Sequence, residues 1–132
     1  MLQAKTIMKR DVITLCPHDT LDKAIELLVE KDITGIPVIN EDHTLAGIIT
    51  EKDILKYMYE QDTIRSLTDS NLCEHTVFHV MTMNVITFEE ETPISEICEC
   101  LSQHEFRRVP IIDSNGKLVG IISRKDIIAV IA

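Results

Sequence analysis

Apolar residues in this chain recur at two different spacings, and the whole succession of spacings occurs twice. The β-branched run VIT stands at 12–14 and again at 85–87, and such runs are typical of strands. Each run is followed by a segment in which apolar residues recur every three or four positions, at 20–33 and at 92–106. That spacing predicts an amphipathic helix in each half of the chain.

The starts of these two helices carry capping signals. Thr20 precedes the first helix and is its predicted N-cap. Thr92 is the predicted N-cap of the second helix, because Pro93 then falls at the first helical position, where an N–H is not needed.

Two further apolar runs follow each helix and are joined by a polar connector. The connector in the second half contains Asn115-Gly116, a dipeptide that favours a tight hairpin turn. The second run of each pair leads into another helical segment, at 51–61 and at 124–131. The predicted order is therefore β-α-β-β-α in each half.

The two halves match each other without a gap when the chain is shifted by 73 positions. The matched pairs are MKRDVIT with MTMNVIT, GIPVIN with RVPIID, and LAGIITEKDI with LVGIISRKDI. A repeat of about 55 residues with one small sheet leaves an apolar face uncovered. We therefore expect an α/β fold in which two repeats pack sheet to sheet around a pseudo-two-fold axis, with a cleft between them. The predicted divisions are repeat 1 at 1–61, a linker at 62–76 with a helical turn, and repeat 2 at 77–132.

Composition and charge limit the partners. Hydrophobic residues make up 45% of the chain, which favours a globular fold, and no apolar run reaches the roughly 20 residues of a membrane span. The first residues lack the apolar core of a signal peptide, so a cytoplasmic location is expected. The formal net charge of −9 repels phosphate backbones, so neither nucleic acid nor a membrane is an expected partner. A small anion could be held by one basic cluster, Arg107-Arg108.

The cysteines and histidines offer weaker signals. In a cytosolic chain without a C-x-x-C motif we expect reduced, mostly buried thiols. The pattern Cys73-x-His75-x-x-x-His79 resembles a set of metal ligands, but no glutamate follows His75 to form H-E-x-x-H, so no metal site is predicted. Glu89-Glu90-Glu91 is interpreted as a solvated turn. The cysteines are Cys16, Cys73, Cys98 and Cys100.

The same motif occurs in both repeats where the second apolar run ends and the second helix begins. It consists of Gly, two apolar residues, Thr or Ser, two variable residues and Asp. The glycine lets the strand pass close to a ligand. The hydroxyl can cap the helix or donate to a phosphate oxygen. The carboxylate can accept hydrogen bonds from both ribose hydroxyls, at about 1.5–3 kcal/mol each. The alternative is that hydroxyl and carboxylate only cap the helix and favour its dipole. The residues are Gly47, Thr50 and Asp53, and Gly120, Ser123 and Asp126.

The chain has paired β-α-β-β-α units, each with an apolar-Pro-apolar strand and this strand-to-helix motif. In these features it resembles a tandem CBS-domain module, named after cystathionine β-synthase. The resemblance covers almost the whole chain and is of the stand-alone type. It implies a regulatory module without enzymatic activity, which binds an adenosine-type ligand (AMP, ADP, ATP or S-adenosylmethionine) between the repeats and acts on a partner protein that the sequence does not name. No cofactor is required, although Mg²⁺ could accompany the nucleotide.

Site residues follow from the resemblance by position. The first site would comprise Thr50, Asp53, Arg107, His79 and Asn84. The second would comprise Ser123, Asp126, Thr34, Thr6 and Asp11. Backbone groups of Val12, Ile36, Val85 and Val109 would contact the adenine. Arg107 and Arg108 stand where some family members place His-Arg against phosphates, whereas the first repeat has Thr34-Gly35, so the two sites should differ. The Asp53 site is expected to be the tighter one, because Asp11 would repel a polyphosphate from the other.

The resemblance also implies a homodimer formed through the second helix of each repeat. Apolar positions there exceed what one module can cover, and aromatic residues and Met are enriched at such contacts. The predicted interface residues are one or both of Tyr57 and Tyr59, which point to different sides of their helix, with Met58 next to them, and Ile127, Ile128, Val130 and Ile131. A purely structural dimerisation module with empty clefts is the competing hypothesis. A hydrolase is the third, but it would need a metal or a base near the phosphate, which the sequence does not show.

Overall fold

The computed structural model describes residues 2–60 and 74–132, and these fall into two compact units. The repeat-1 unit comprises Ile13–Glu41 and Ala46–Val85, and the repeat-2 unit comprises Met1–Val12, Asp42–Leu45 and Ile86–Ala132. The first residues of each repeat, which we call its leading segment (3–12 and 76–85), therefore belong to the unit built from the other repeat. Sequence repeats and compact units do not coincide.

Eleven elements are described, and equivalent elements recur at the same shift of 73 positions. In chain order they are α1 (Ala4–Ile7), α2 (Leu21–Glu30), β1 (Gly35–Ile39), β2 (Leu45–Thr50), α3 (Glu51–Glu60), α4 (Val77–Val80), β3 (Phe88–Glu89), α5 (Ile94–Gln103), β4 (Arg108–Ile112), β5 (Leu118–Ser123) and α6 (Arg124–Ile131). Helices combined with small sheets confirm the predicted α/β class. Within the described ranges no helix is long and apolar enough to cross a bilayer.

Each unit contains one small sheet. In the repeat-1 unit β1 pairs with β2, and Leu15 adds a single parallel bridge to Val38. In the repeat-2 unit β4 lies between β3, which is parallel to it, and β5, which is antiparallel. A change of register between Ile111 and Ile112 interrupts the β4–β5 ladder.

The strand prediction at the two VIT runs was wrong in position. Pairing begins directly after each run, at Leu15 in one repeat and at Phe88–Glu89 in the other. Leu15 N–H donates to the Pro37 carbonyl at 3.0 Å, and its own carbonyl accepts from Ile39 N–H at 2.8 Å. β-propensity marks residues that suit a pleated surface, but it does not decide which residue meets the neighbouring strand.

Helix starts are confirmed in one repeat and corrected in the other. Thr20 is the N-cap residue of α2, although its side chain makes no capping hydrogen bond. The predicted cap Thr92 was wrong, since α5 begins at Ile94 with Pro93 in the N-cap position. The Thr92 hydroxyl instead accepts a hydrogen bond from Glu89 N–H at 3.2 Å, which places it in the turn before the helix.

The hairpin at Asn115-Gly116 is confirmed. Gly116 has a φ of +80° and donates its N–H to the Asp113 carbonyl at 3.0 Å, a conformation that glycine adopts without steric penalty. The predicted helices at 51–61 and 124–131 are observed at Glu51–Glu60 and Arg124–Ile131, with residue 61 outside the described residues. Most of the predicted linker, 62–73, also lies outside them.

A separate hydrophobic cluster fills each unit, and each receives side chains from a leading segment. Val77 and Val80 enter the cluster of the repeat-1 unit, while Ala4 and Met8 enter that of the repeat-2 unit. Two residues predicted for a dimer interface, Met58 and Ile127, were wrongly assigned, because each is buried in the cluster of its own unit. Tyr57 packs against a cluster as well, whereas the rest remain exposed: Tyr59, Ile128, Val130 and Ile131.

Candidate functional site

The end of β2 and the start of α3 form the first aspartate junction, which we call the Asp53 junction. Asp53 Oδ2 accepts from Thr50 N–H at 3.0 Å, and the Thr50 hydroxyl oxygen accepts from Asp53 N–H at 3.1 Å. This reciprocal pair has the geometry of a capping box and fixes the carboxylate against the strand end. The second oxygen, Oδ1, accepts from the hydroxyl of Thr82 at 2.9 Å.

The same construction recurs at the Asp126 junction, between β5 and α6. Ser123 and Asp126 form a capping box, in which Asp126 Oδ2 accepts from Ser123 N–H at 2.9 Å. Here Oδ1 lies 3.4 Å from the Lys9 ammonium. The Asp126 side chain is only 11% exposed and that of Lys9 is 71% exposed, so the ion pair lies at the rim of the carboxylate.

Thr82 and Lys9 were missed by the sequence reasoning, yet they occupy equivalent positions 73 residues apart. Backbone pairing holds each one beside its junction. Thr82 exchanges hydrogen bonds with Ile48 at 2.8 and 2.9 Å, and Lys9 exchanges them with Ile121 at 2.9 Å in both directions. The repeat shift alone identifies the two residues as a pair, but only the folded leading segments bring them to the carboxylates.

The two glycines of the repeated motif lie against the leading segments. A Cβ on Gly47 would lie 2.5 Å from the Thr82 carbonyl oxygen. A Cβ on Gly120 would lie 2.6 Å from Met8 Sδ and 3.0 Å from the Lys9 carbonyl oxygen. The leading segment of the chain therefore makes a close approach that requires glycine at both positions.

Basic side chains collect in the repeat-2 unit. Arg108 pairs in register with Ser123 across β4 and β5, and the Arg107 carbonyl accepts from Arg124 N–H at 2.9 Å. Burial lowers the pKa of the Arg108 guanidinium from its ordinary value, and neighbouring Arg107 lowers it further, while the Asp126 carboxylate raises it. The register opposite Ser123 therefore places Arg108 on the strand next to the Asp126 junction.

The remaining predicted residues divide between the two units. The repeat-1 unit holds Thr34, Ile36, Thr50, Asp53, His79, Asn84 and Val85. The repeat-2 unit holds Thr6, Asp11, Val12, Arg107, Arg108, Val109, Ser123 and Asp126. Each unit thus contains one capping-box aspartate with its hydroxyl partner and two of the four valine or isoleucine residues proposed to meet adenine.

Arg107 and Thr34 each belong to the unit that holds the aspartate of their own repeat. Thr34 accepts at its carbonyl from Glu51 N–H at 3.0 Å, directly beside the Asp53 junction. Arg107 lies beside Ser123 and the Asp126 junction. The grouping of Arg107 with Asp53 and of Thr34 with Asp126 joins residues of different units and stays a prediction, as does the expectation that the Asp53 site is the tighter one.

Other predicted residues make local contacts. The Nδ1 atom of His79 lies 2.8 Å from the Thr76 hydroxyl, at the start of α4. Asn84, Thr6 and Asp11 are exposed. Ile36 is buried in β1, and its equivalent Val109 is buried in β4.

The structure also describes the contacts of His75 and the exposure of three cysteines. His75 Nδ1 lies 2.7 Å from the Tyr57 hydroxyl, and no group of three potential metal ligands occurs among residues 2–60 and 74–132. The expectation of buried thiols was wrong for Cys16 and Cys98, which are exposed. Cys100 is half-buried, and desolvation raises the pKa of its thiol. Cys73 lies outside the described residues.

Similar proteins are known by sequence and by structure. The CBS domain-containing protein CBSX1, chloroplastic, of Arabidopsis thaliana is 32% identical over 91% of this chain and 59% of its own length. In eight curated relatives, the matched region spans 22 to 60% of the relative's length, and in the enzymes among these eight it spans no more than 23%.

Two solved structures are of proteins with bound adenosine compounds. The crystal structure of CBSX2 in complex with AMP has a TM-score of 0.84 at 27% identity, covering 99% of this chain and 96% of that one. The CBS domain pair of the protein MJ0100, in complex with 5′-methylthioadenosine and S-adenosylmethionine, has a TM-score of 0.80 at 27% identity, covering 99% and 100%. The CBS-domain family model matches residues 4–60 and 77–132, one match in each repeat. This chain therefore belongs to the CBS-domain family and is a tandem pair of CBS domains.

Proposed function

We propose that this chain is a regulatory module that binds adenosine-type ligands at its two aspartate junctions and passes the binding event to a partner protein as a conformational change. It performs no chemistry of its own. The proposal is supported by the observation that the two carboxylate oxygens of each aspartate have different partners. One carboxylate oxygen is used by the capping box, and the other is directed at a residue of a leading segment.

The capping alternative and the ligand role are compatible. A carboxylate has two oxygens and about four acceptor positions, and the capping box uses only Oδ2 for its backbone bond. The capping bonds hold the carboxylate in a fixed position. Oδ1 can then accept from a ribose diol in place of, or together with, the Thr82 hydroxyl or the Lys9 ammonium. A preorganised acceptor loses less conformational freedom when the ligand binds.

The adenine ring would contact the residues next to each junction. Ile36 and Val85 lie in the unit of Asp53, while Val109 and Val12 lie in the unit of Asp126. Their backbone edges and apolar side chains suit a flat aromatic base with hydrogen-bonding groups at its rim. Adenosine compounds bound to CBSX2 and to MJ0100 support the choice of an adenosine-type ligand for this chain.

Calorimetric titration tests the proposal. AMP, ADP, ATP and S-adenosylmethionine are added to the full chain, with and without Mg²⁺, and the mass of each complex is read by native mass spectrometry. We expect micromolar dissociation constants, on the order of 8 kcal/mol of binding free energy. Asp53→Asn and Asp126→Asn each keep a capping oxygen and should each weaken binding at one site. Lack of heat and lack of a bound mass with all four ligands would refute the proposal.

A homodimer is the second part of the proposal, because exposed apolar side chains line one side of each second helix. Leu55 and Tyr59 on α3, and Ile128 and Ile131 on α6, are 64 to 77% exposed. Residues three or four apart share a helix face, so each pair forms a continuous apolar strip. Light scattering after size exclusion should give twice the chain mass, and Ile128→Ser with Ile131→Ser should shift it towards the monomer. A purely structural module would dimerise in the same way but bind none of the four ligands.

A further inference from the structure

The two aspartate junctions carry different charges at equivalent positions. Three basic residues of the Asp126 junction, Lys9, Arg107 and Arg108, correspond to uncharged residues of the Asp53 junction. The uncharged equivalents are Thr82, Thr34 and Gly35. The capping boxes are alike, so these basic residues distinguish the surroundings of two equivalent carboxylates.

Lys9 is the basic residue best placed to reach a ligand. Its backbone is fixed by the two hydrogen bonds to Ile121, but its side chain is 71% exposed, and the ammonium pairs with Asp126 Oδ1 at 3.4 Å. Because the Lys9 side chain is largely exposed, solvent weakens this ion pair, and exposed pairs contribute about 0–1 kcal/mol. The hydroxyls of a bound ribose can therefore replace Lys9 as partners of the Asp126 carboxylate. The flexible Lys9 side chain can then turn its ammonium towards an anion attached to that ribose.

Arg108 supplies a second cation that is less mobile. It is half-buried in β4 and in register with Ser123, and the Asp126 carboxylate raises the pKa of its guanidinium. The whole chain carries a formal charge of −9, and its net electrostatic field does not attract a phosphate. Binding of a phosphate therefore depends on local cations such as Arg108. Asp11 is exposed two residues after Lys9, and its charge opposes a long polyphosphate.

We infer that Lys9 and Arg108 make the Asp126 junction selective for an adenosine ligand with a single phosphate, whereas the Asp53 junction, with Thr82 in place of Lys9, binds the nucleoside with little regard to a phosphate. This inference rests on the proposed function. A phosphate held by a charge-assisted bond from Lys9 gives AMP an advantage over adenosine at one junction only.

Reciprocal exchange of the two equivalent residues tests the inference. Lys9→Thr is measured in an Asp53→Asn background, which leaves one intact junction, and Thr82→Lys is measured in an Asp126→Asn background. AMP and adenosine are titrated at low and at moderate salt. We expect Lys9→Thr to weaken AMP about tenfold and to leave adenosine within about twofold, and Thr82→Lys to improve AMP relative to adenosine. Lys9→Arg should retain the preference, and thermal melting checks that each variant folds.

Each outcome bears on a definite claim. An AMP-to-adenosine ratio that is the same in wild type, Lys9→Thr and Lys9→Arg overturns the inference but leaves the proposed function intact. The inference is likewise overturned if AMP affinity at the Asp126 junction does not fall with added salt. A wild-type chain that binds neither AMP nor adenosine overturns both.

Discussion

Gly47 is surrounded by its own chain, with the Thr82 carbonyl oxygen only 2.5 Å from the place of a Cβ. The glycine lets β2 and the leading segment exchange hydrogen bonds between Ile48 and Thr82, and this pairing brings the Thr82 hydroxyl to Asp53. The repeated motif predicted a close approach to a ligand at this position, and the structure shows a close approach of the chain itself. The motif could not indicate what approaches, because the partner lies 35 residues away in sequence.

Replacement of Gly47 by alanine should therefore be more disruptive than that of a neighbouring glycine. A Cβ there meets backbone atoms, which cannot move aside without loss of the Ile48 pairing, so we expect Gly47→Ala to lower the free energy of unfolding by about 1–3 kcal/mol. Gly35→Ala is the control, since its Cβ would lie 3.2 Å from the Thr50 side-chain methyl. Urea unfolding measures both, and an equal effect of the two substitutions would contradict the assigned role of Gly47.

Cysteine reactivity should follow burial. Because desolvation raises the pKa of the Cys100 thiol, less of it is thiolate at a given pH, and thiolate is the reactive form. In a Cys73→Ser background, a disulfide reagent at about pH 8 should modify Cys16 and Cys98 before Cys100, and the Cys100 rate should rise on going to higher pH. Mass spectrometry of the labelled peptides identifies each site. Labelling of Cys100 first would show that its thiol is not desolvated in solution.

The capping residues of α3 and α6 are also the residues of the two aspartate junctions. α3 and α6 begin immediately after the last strand residue, and the hydroxyl and carboxylate of each box satisfy backbone N–H groups that would otherwise lack partners. α5 ends with a different device, in which Arg124 donates to the carbonyls of Leu101 and His104 at 3.3 and 2.7 Å. The start of α6 therefore also satisfies the end of α5.

Loss of the capping hydroxyl at either junction should lower the stability of the protein by a similar amount. Ser123→Ala and Thr50→Ala each remove the acceptor for a first-turn N–H, so we expect each to lower the free energy of unfolding by about 1 kcal/mol. Ser114→Ala, at an exposed position of the β4–β5 turn, is the matched control and should leave it unchanged. Chemical denaturation compares the three variants. If neither junction variant differs from Ser114→Ala, the boxes do not stabilise the helices.

Long helices and hairpins could be predicted from the sequence because local signals determine them: apolar spacing for α2, α3, α5 and α6, and Asn115-Gly116 for one turn. The four-residue helices α1 and α4 escaped prediction, since so short a segment carries no periodicity and is stabilised by tertiary packing. The short β3 and the bridge at Leu15 were misplaced for the same reason. Asp53 and Asp126 could be identified from the repeat, whereas Lys9 and Thr82 depend on the fold.

The exchange of leading segments makes each compact unit a composite of both repeats. Ala4 is fully buried in the cluster of the repeat-2 unit, and its equivalent Val77 is fully buried in that of the repeat-1 unit. Ala4 N–H donates to the Thr92 carbonyl, while Val77 N–H donates to the Asp19 carbonyl. A defect placed in one leading segment should therefore be felt in the unit built mainly from the other repeat.

Hydrogen exchange can test this composite construction with matched substitutions. Ala4→Ser and Val77→Thr each bury a hydroxyl, which destabilises the surrounding cluster by about 1–3 kcal/mol. We expect Ala4→Ser to accelerate amide exchange mainly in β4 and β5, although residue 4 belongs to repeat 1, and Val77→Thr to accelerate it mainly in β1 and α3. Lys5→Ser, an exposed neighbour in α1, should change neither. Faster exchange within residues 13–41 after Ala4→Ser, with β4 and β5 unaffected, would mean that each leading segment packs on its own repeat, and the placement of Lys9 beside Asp126 would be lost with it.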